Sequence, residues 1–128
     1  MADPSVTASI FPALRYDDAH AAAAWLERAF GFEPKMLHEG PDGSVAHAEL
    51  RLGNGVLMLG SRRADPANPW ADRDGIYVAV DDVDAHHARA LAAGAEVVRP
   101  PADTDYGSRE YSVRDCEGRL WSFGTYRP

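Results

Sequence analysis

Two short stretches decide the fold: residues 29–33, AFGFE, and residues 92–96, AAGAE, which lie 63 positions apart. In each, a glycine ends an alanine-rich segment, and a glutamate opens a strand-like run. The same shift places residues 54–55, NG, on residues 117–118, EG, each of them before an apolar run. Self-similarity at a fixed period is typical of a fold built from repeated units. The sequence therefore predicts two copies of one unit.

Outward from residues 29–33, the residue pattern of the first copy predicts one strand, one helix and three further strands. Asp18 precedes the helical pattern of residues 19–30, and its carboxylate can accept the free amide bonds of the first turn. Gly31 then ends the helix at the position that favours positive φ. Strands are predicted at residues 10–16, 33–39, 44–52 and 56–60. The first copy is thus predicted to be a βαβββ unit.

The second copy repeats this order after a polar connection. Residues 61–74 are rich in Asp, Pro, Ala and Arg, which predicts a linker. Beyond it, a helix is predicted at residues 83–93, with strands at 76–80, 96–99, 109–114 and 119–126. The predicted organisation is a single α+β domain over residues 1–128, with repeat one at 8–60, the linker at 61–74 and repeat two at 75–128.

Composition limits the class of protein. The 128 residues are 45% hydrophobic and 26% charged, as expected for a packed globular domain. A net charge of -7 disfavours nucleic acid as a partner. Residues 1–8, MADPSVTA, lack a basic start and an apolar core, and no run is long enough to span a bilayer, so we expect a cytoplasmic protein with no membrane partner. Cys116 is the only cysteine, which excludes a disulfide within the chain.

Several motifs resemble one family. They are residues 15–18, RYDD, residues 25–33, WLERAFGFE, residues 47–53, HAELRLG, residues 106–110, YGSRE, and residues 115–121, DCEGRLW. Across essentially the whole chain, the sequence resembles the vicinal-oxygen-chelate superfamily of glyoxalases, bleomycin-resistance proteins and dioxygenases, and it is similar to the PhnB-like branch in particular. The resemblance implies two βαβββ repeats that form a curled eight-stranded mixed sheet around a cleft, and a homodimer.

Metal-dependent members of that superfamily hold an ion through four side chains, usually His and Glu, from the first and last strand of each half. In this sequence those places map near Phe11, Leu59, Gly75 and Ser122, none of which is a strong ligand. A shift of one residue offers only Pro12, Met58, Gly60, Ile76, Trp121 or Phe123. The mapping therefore predicts no metal site and no cofactor.

Two candidate catalytic residues lie in the third predicted strand. Alternation sends His47, Glu49 and Arg51 to one face, whereas Ala46, Ala48, Leu50 and Leu52 face the helix. His47 and Glu49 are candidates for a general base and the group that orients it, or for two metal ligands at a nonstandard place. The alternative is a hydrogen-bonded network that only stabilises the sheet.

In the second half, Glu110 and Ser112 are predicted to share the cleft face. Glu110 and Glu49 are candidates for holding a cationic group. Alternatively, Glu110 pairs with Arg114 or Arg109 along the strand. Both interpretations stay open from the sequence.

Further ligand contacts are expected from aromatic residues. Phe11 and Tyr77 should point inward from the two opening strands, as an aromatic wall or as ordinary core. Trp70 lies in the linker, where it either packs against the protein or covers a pocket. Ser122, on the closing strand, completes the predicted ligand contacts.

Together these features predict a metal-free small-molecule-binding protein of the glyoxalase/bleomycin-resistance type that sequesters a cationic or aromatic ligand. The alternative is a lyase, isomerase or dioxygenase-like enzyme that uses His47 and Glu49 or a relocated metal site. Of the remaining histidines, His86 and His87 are adjacent on a helix and are predicted to be solvated.

Overall fold

The computed structural model describes residues 8–66, 68 and 70–128. It divides into two compact units, of which the first ends at Asp74 and the second spans Gly75–Pro128. Unit 1 contains β1 (Ile10–Tyr16), α1 (Ala19–Phe30), β2 (Glu33–Glu39), β3 (Val45–Leu52) and β4 (Gly55–Ser61). Unit 2 contains β5 (Gly75–Ala79), α2 (Val83–Ala92), β6 (Glu96–Asp103), β7 (Arg109–Arg114) and β8 (Leu120–Gly124). The predicted α+β class with two βαβββ copies is therefore confirmed.

Unit 1 is a mixed four-stranded sheet with α1 on one face. Its strand order is β2-β3-β4-β1, in which β1 runs parallel to β4 and the other pairs are antiparallel. Asp18 caps α1, since its Oδ1 accepts the amide N–H of Ala21 at 3.0 Å. Gly31 ends the helix with φ 79°, a conformation that glycine adopts without steric cost.

The core of unit 1 lies between α1 and the sheet. Its buried members are Ala19, Ala23, Leu26, Val45, Ala48, Leu50, Leu57 and Leu59. At the start of β3, Val45 joins this core, whereas Ala46 was predicted to do so and is exposed. The register between β2 and β3 shifts at this point, and such a bulge exchanges the faces of the residues before it. Trp25, on α1, is 47% exposed and contacts the Phe30 ring instead of the core.

Unit 2 repeats this arrangement in the strand order β5-β8-β7-β6, with β5 parallel to β8. Asp82 caps α2 through the amide N–H of Ala85 at 3.0 Å. The core between α2 and the sheet is built from Val83, Tyr111 and Val113, with Trp121 and Phe123 packed against them. β6 is longer than predicted, because its irregular register carries the strand through Pro100 and Pro101 to Asp103. In the described part of the chain, neither helix is long and apolar enough to cross a membrane.

Candidate functional site

The sheet face of unit 1 opposite α1 carries a buried carboxylate. Glu49 has 0% of its surface exposed, and its Oε2 lies 2.8 Å from His47 Nε2. Lys35 Nζ lies 3.3 Å from the other carboxylate oxygen, Oε1. A buried charge is costly unless opposite charge and hydrogen bonds compensate for it, and these two neighbours supply both. The structure thus brings the two predicted catalytic residues together and adds Lys35, which sequence reasoning missed.

Sheet register explains how these side chains meet. His47 and Glu49 are two residues apart on β3 and therefore share a face. On β2, Met36 is the partner of Glu49 and His38 is the partner of His47, and the register shifts between Pro34 and Met36. Lys35 lies in that irregularity, so strict alternation could not place it beside Glu49.

The His47–Glu49 pair has the arrangement of a histidine oriented by a carboxylate. The side chain of His47 is 36% exposed whereas that of Glu49 is fully buried. Consequently the imidazole reaches solvent while its Nε2 is held by Glu49. Such a pair can transfer a proton to or from a bound molecule, because a histidine oriented by a carboxylate is a common general acid or base.

Arg15 lies on the same face of unit 1, at the end of β1. Its Nε donates to the main-chain oxygen of Trp70 at 2.5 Å, and its Nη1 donates to the oxygen of Ser61 at 3.3 Å. A Cβ at Gly60, the residue paired with Arg15 on β4, would lie 2.5 Å from Nη1, so the guanidinium occupies the space above this glycine. Burial, followed by the charge of Arg63, lowers the pKa of Arg15.

Trp70 itself is buried at 9% exposure. Its main-chain amide donates to Asn68 Oδ1 at 3.0 Å, while its carbonyl holds Arg15. Trp70 therefore packs within unit 1, which is the packing alternative considered for it. Phe11, in β1, is buried as well, at 1% exposure.

In unit 2, the face opposite α2 carries two buried serines. The Oγ atoms of Ser112 and Ser122 are 2.9 Å apart, and Ser122 Oγ also donates to the carbonyl of Tyr111 at 3.1 Å. Tyr77 shares this face, because it is the register partner of Ser122. The two hydroxyl groups therefore bond to each other on this buried face of the sheet.

Three tyrosines and one glutamate gather at one end of this face; we call them the tyrosine group (Tyr77, Tyr106, Glu110 and Tyr126). Tyr106 donates its hydroxyl to Glu110 Oε1 at 2.8 Å, and Tyr77 donates to the main-chain oxygen of Tyr126 at 2.5 Å. The Tyr126 ring centroid lies 6.5 Å from that of Tyr77 and 6.0 Å from that of Tyr106. Burial raises the pKa of both Tyr77 and Tyr106, and the charge of Glu110 acts in the same direction.

Glu110 therefore does not make the strand ion pairs considered from the sequence. Arg109 instead pairs with Asp84 at 3.0 Å and Asp103 at 3.2 Å, and Arg114 pairs with Glu96 at 3.3 Å. Sequence reasoning included Tyr77 and Glu110 but missed Tyr106 and Tyr126. The available signal was the spacing of four residues between Tyr106 and Glu110, on the two sides of Gly107.

The prediction that His86 is solvated is wrong. His86 Nδ1 lies 2.6 Å from the Tyr111 hydroxyl, and its ring centroid is 4.0 Å from that of Phe123. Burial, followed by the charge of Arg89, lowers the pKa of His86. Its position three residues after the buried Val83 was the signal for a core-facing place on α2.

Comparison with known proteins gives the family. The model of the glyoxalase/bleomycin resistance protein/dioxygenase superfamily matches residues 9–123. This chain belongs to that superfamily. Uncharacterized proteins from Mycobacterium bovis and Mycobacterium tuberculosis are each 34% identical to it, over 94% of this chain and 84% and 75% of theirs.

Solved structures of the superfamily share the fold. A member from Vibrio splendidus is 20% identical, with a TM-score of 0.70 over 90% of this chain and 96% of its own. Methylmalonyl-CoA epimerase from Mycobacterium tuberculosis is 18% identical, with a TM-score of 0.72 over 100% of this chain and 94% of its own. At such identities the likeness concerns the fold alone.

The side chains present do not fit the metal site of the superfamily's metal-dependent members. Leu59, one of the four mapped places, packs in the core beneath α1, so Met58 takes the opposite face as the partner of Glu49. With Phe11 in β1 and Ser122 in β8, no strong nitrogen or carboxylate ligand occupies these places. Across the described ranges 8–66, 68 and 70–128, no three His, Cys, Asp or Glu side chains form a group suited to a metal ion.

Proposed function

We propose that this protein binds a small molecule without a metal ion, and that the tyrosine group of unit 2 holds a cationic or aromatic part of that ligand. The observation that carries the proposal is the meeting of three tyrosine rings with the Glu110 carboxylate. Aromatic ring faces and a carboxylate both attract an organic cation, whereas the rings alone suit a planar aromatic group.

Exposure and charge support this assignment. Tyr106 is 61% exposed while its hydroxyl is fixed on Glu110, so its ring is accessible in one orientation. A ring held in place loses little conformational freedom when it binds a ligand. The net charge of -7 also favours the approach of a cation.

Titration with benzyltrimethylammonium tests the proposal. We expect saturable binding with a rise in melting temperature, and weaker binding by Glu110→Gln and Tyr106→Ala. Glu96→Gln is the matched control, since it removes a carboxylate of the same unit that pairs with Arg114. Equal binding by Glu110→Gln, Tyr106→Ala and Glu96→Gln would refute the role of the tyrosine group.

The absence of a bound metal is a separate part of the proposal. It is supported by the residue types at the four mapped places. Elemental analysis of protein purified without chelator should show far less than one equivalent of any divalent metal, and divalent ions should leave the melting temperature unchanged. Near-stoichiometric metal with thermal stabilisation would overturn this part.

A second candidate function is metal-independent proton transfer by His47, which the 2.8 Å contact with buried Glu49 favours. A panel of acyl thioesters and α-hydroxycarbonyl compounds in D₂O would test it, with deuterium incorporation measured by NMR. His47→Ala should abolish incorporation, and His38→Ala, the register partner on β2, should retain it. Equal incorporation by both variants would exclude His47 as the base.

Three finer assignments complete the proposal: the PhnB-like branch, a homodimer and a cytoplasmic location. The motifs at residues 25–33 and 47–53 support the branch. Sedimentation equilibrium would test the dimer, for which a single species of twice 13.9 kDa is expected.

A further inference from the structure

We infer that unit 1 carries a binding site for an oxyanion, a carboxylate or a phosphate, at the Arg15 guanidinium above Gly60, on the sheet face that also carries His47. The site is formed by the ends of β1 and β4 and by the segment that holds Trp70. It does not depend on the tyrosine group, and the two proposals can fail separately.

The first argument is the charge of Arg15. Its guanidinium is held by two main-chain oxygens, those of Trp70 and Ser61. Within residues 8–66, 68 and 70–128, no carboxylate lies within 4.0 Å of its nitrogens. Asp74, the acidic residue bonded to Arg15, accepts from the main-chain amide at 2.8 Å and not from the side chain. Arg62, by contrast, is paired with Asp17 at 3.0 Å.

The second argument is the geometry of the remaining donors. A guanidinium has five N–H groups, and the two carbonyl oxygens take one from Nε and one from Nη1. Both N–H groups of Nη2 and the second of Nη1 have no acceptor among the described residues. Two parallel N–H groups match the two oxygens of a carboxylate or phosphate, which makes a bidentate bond. Because the carbonyls already fix Arg15, binding costs little ordering of its side chain.

The third argument is the space and potential around the guanidinium. Gly60 leaves the room that the guanidinium itself needs on this face, since a Cβ there would lie 2.5 Å from Nη1. Glu49 pairs with Met58, and His47 and Gly60 each lie two residues further along their strands, on the face that Arg15 occupies. Arg63 adds positive potential, since its charge helps to lower the pKa of Arg15. Arginine nevertheless remains charged at neutral pH, so an anion is the favoured occupant.

Titration of the ¹⁵N-labelled protein with sodium phosphate and, separately, sodium acetate tests the inference. We expect a saturable shift of the Arg15 Nε–Hε resonance with at least one anion, and no such shift with sodium chloride at matched ionic strength. The tighter of the two anions identifies the group that the site prefers. No saturable shift with either anion would overturn the inference.

Three variants make the test specific. Arg15→Gln should weaken anion binding, followed on the His47 ring resonances, at least about tenfold. Arg15→Lys, which keeps the charge but loses the planar fork, should lie between Arg15→Gln and the wild type. Arg28→Gln, which removes an exposed cation in the last turn of α1, should bind like the wild type. Equal affinities for Arg15→Gln and Arg28→Gln would refute the site. Partial binding by Arg15→Lys separates a loss of the planar fork from a folding defect.

Discussion

The two units share one architecture but differ in what they bury on the face opposite the helix. At the third strand of each unit, Glu49 and Ser112 lie 63 positions apart, and both are 0% exposed. In unit 1 the buried group is a carboxylate that is held by His47 and Lys35, whereas in unit 2 it is a hydroxyl bonded to Ser122. The repeat thus preserves a buried polar position while its chemistry changes from ionic to neutral.

The largest expected effect comes from removing the cation that pairs with the buried carboxylate of unit 1. Lys35→Met should lower the free energy of unfolding by about 2–3 kcal/mol, because it removes one cation from a carboxylate with no exposed surface. The loss stays below that of a fully isolated charge, since His47 still contacts Oε2. Urea unfolding measures the change.

Arg28→Met is the control for Lys35→Met, since it deletes an exposed cation of α1. A surface cation contributes little to stability, so this variant should unfold close to the wild type. If Lys35→Met unfolds like Arg28→Met, the ion pair with Glu49 does not stabilise unit 1.

A smaller loss of stability is expected from alanine substitutions at two glycines in equivalent places, Gly60 on β4 and Gly124 on β8. A Cβ at Gly124 would lie 2.6 Å from Glu110 Cγ and 2.7 Å from the Tyr77 hydroxyl, whereas at Gly60 the nearest atom is the end of the Arg15 side chain. Gly124→Ala should therefore cost about 1–2 kcal/mol, and Gly60→Ala less than about 1 kcal/mol, because a guanidinium moves more easily than a packed ring. Thermal unfolding of both variants gives the order, and the reverse order would contradict this account.

The smallest expected effect is the dependence of the free energy of unfolding on pH. Since burial lowers the pKa of His86 in the folded state, the unfolded state binds more protons between that lowered pKa and the ordinary value of about 6.5. The free energy of unfolding should therefore fall as the pH drops through this window and level off below it. His86→Gln should reduce this slope in urea midpoints measured across the window. An unchanged slope would show that His86 does not carry it.

Local sequence rules predicted the framework well. Asp18 and Gly31 fixed the ends of α1, because a capping carboxylate and a glycine with positive φ act within one turn of the chain. Strand alternation also placed His47 and Glu49 on one face, since their relation depends only on a spacing of two.

Departures from regular strand geometry prevented the prediction of the other contacts. Lys35 reaches Glu49 from a register shift in β2, and a shift near Ala46 exchanged the faces at the start of β3. Trp70, which holds Arg15, and Tyr106, which bonds to Glu110, lie on loops, where neither periodicity nor alternation applies. The site was therefore predictable where it depends on strand parity, and not where it depends on bulges or loops.

The ion pair of unit 1 has a further use in the laboratory, because Lys35 is the only lysine in the sequence. Its amine lies 3.3 Å from the buried carboxylate and its side chain is 28% exposed. Because the amine is held against this carboxylate, an acylating reagent should reach Lys35 faster once β2 separates from β3. The rate of acylation at this one side chain thereby reports the opening of that sheet edge, without any engineered label.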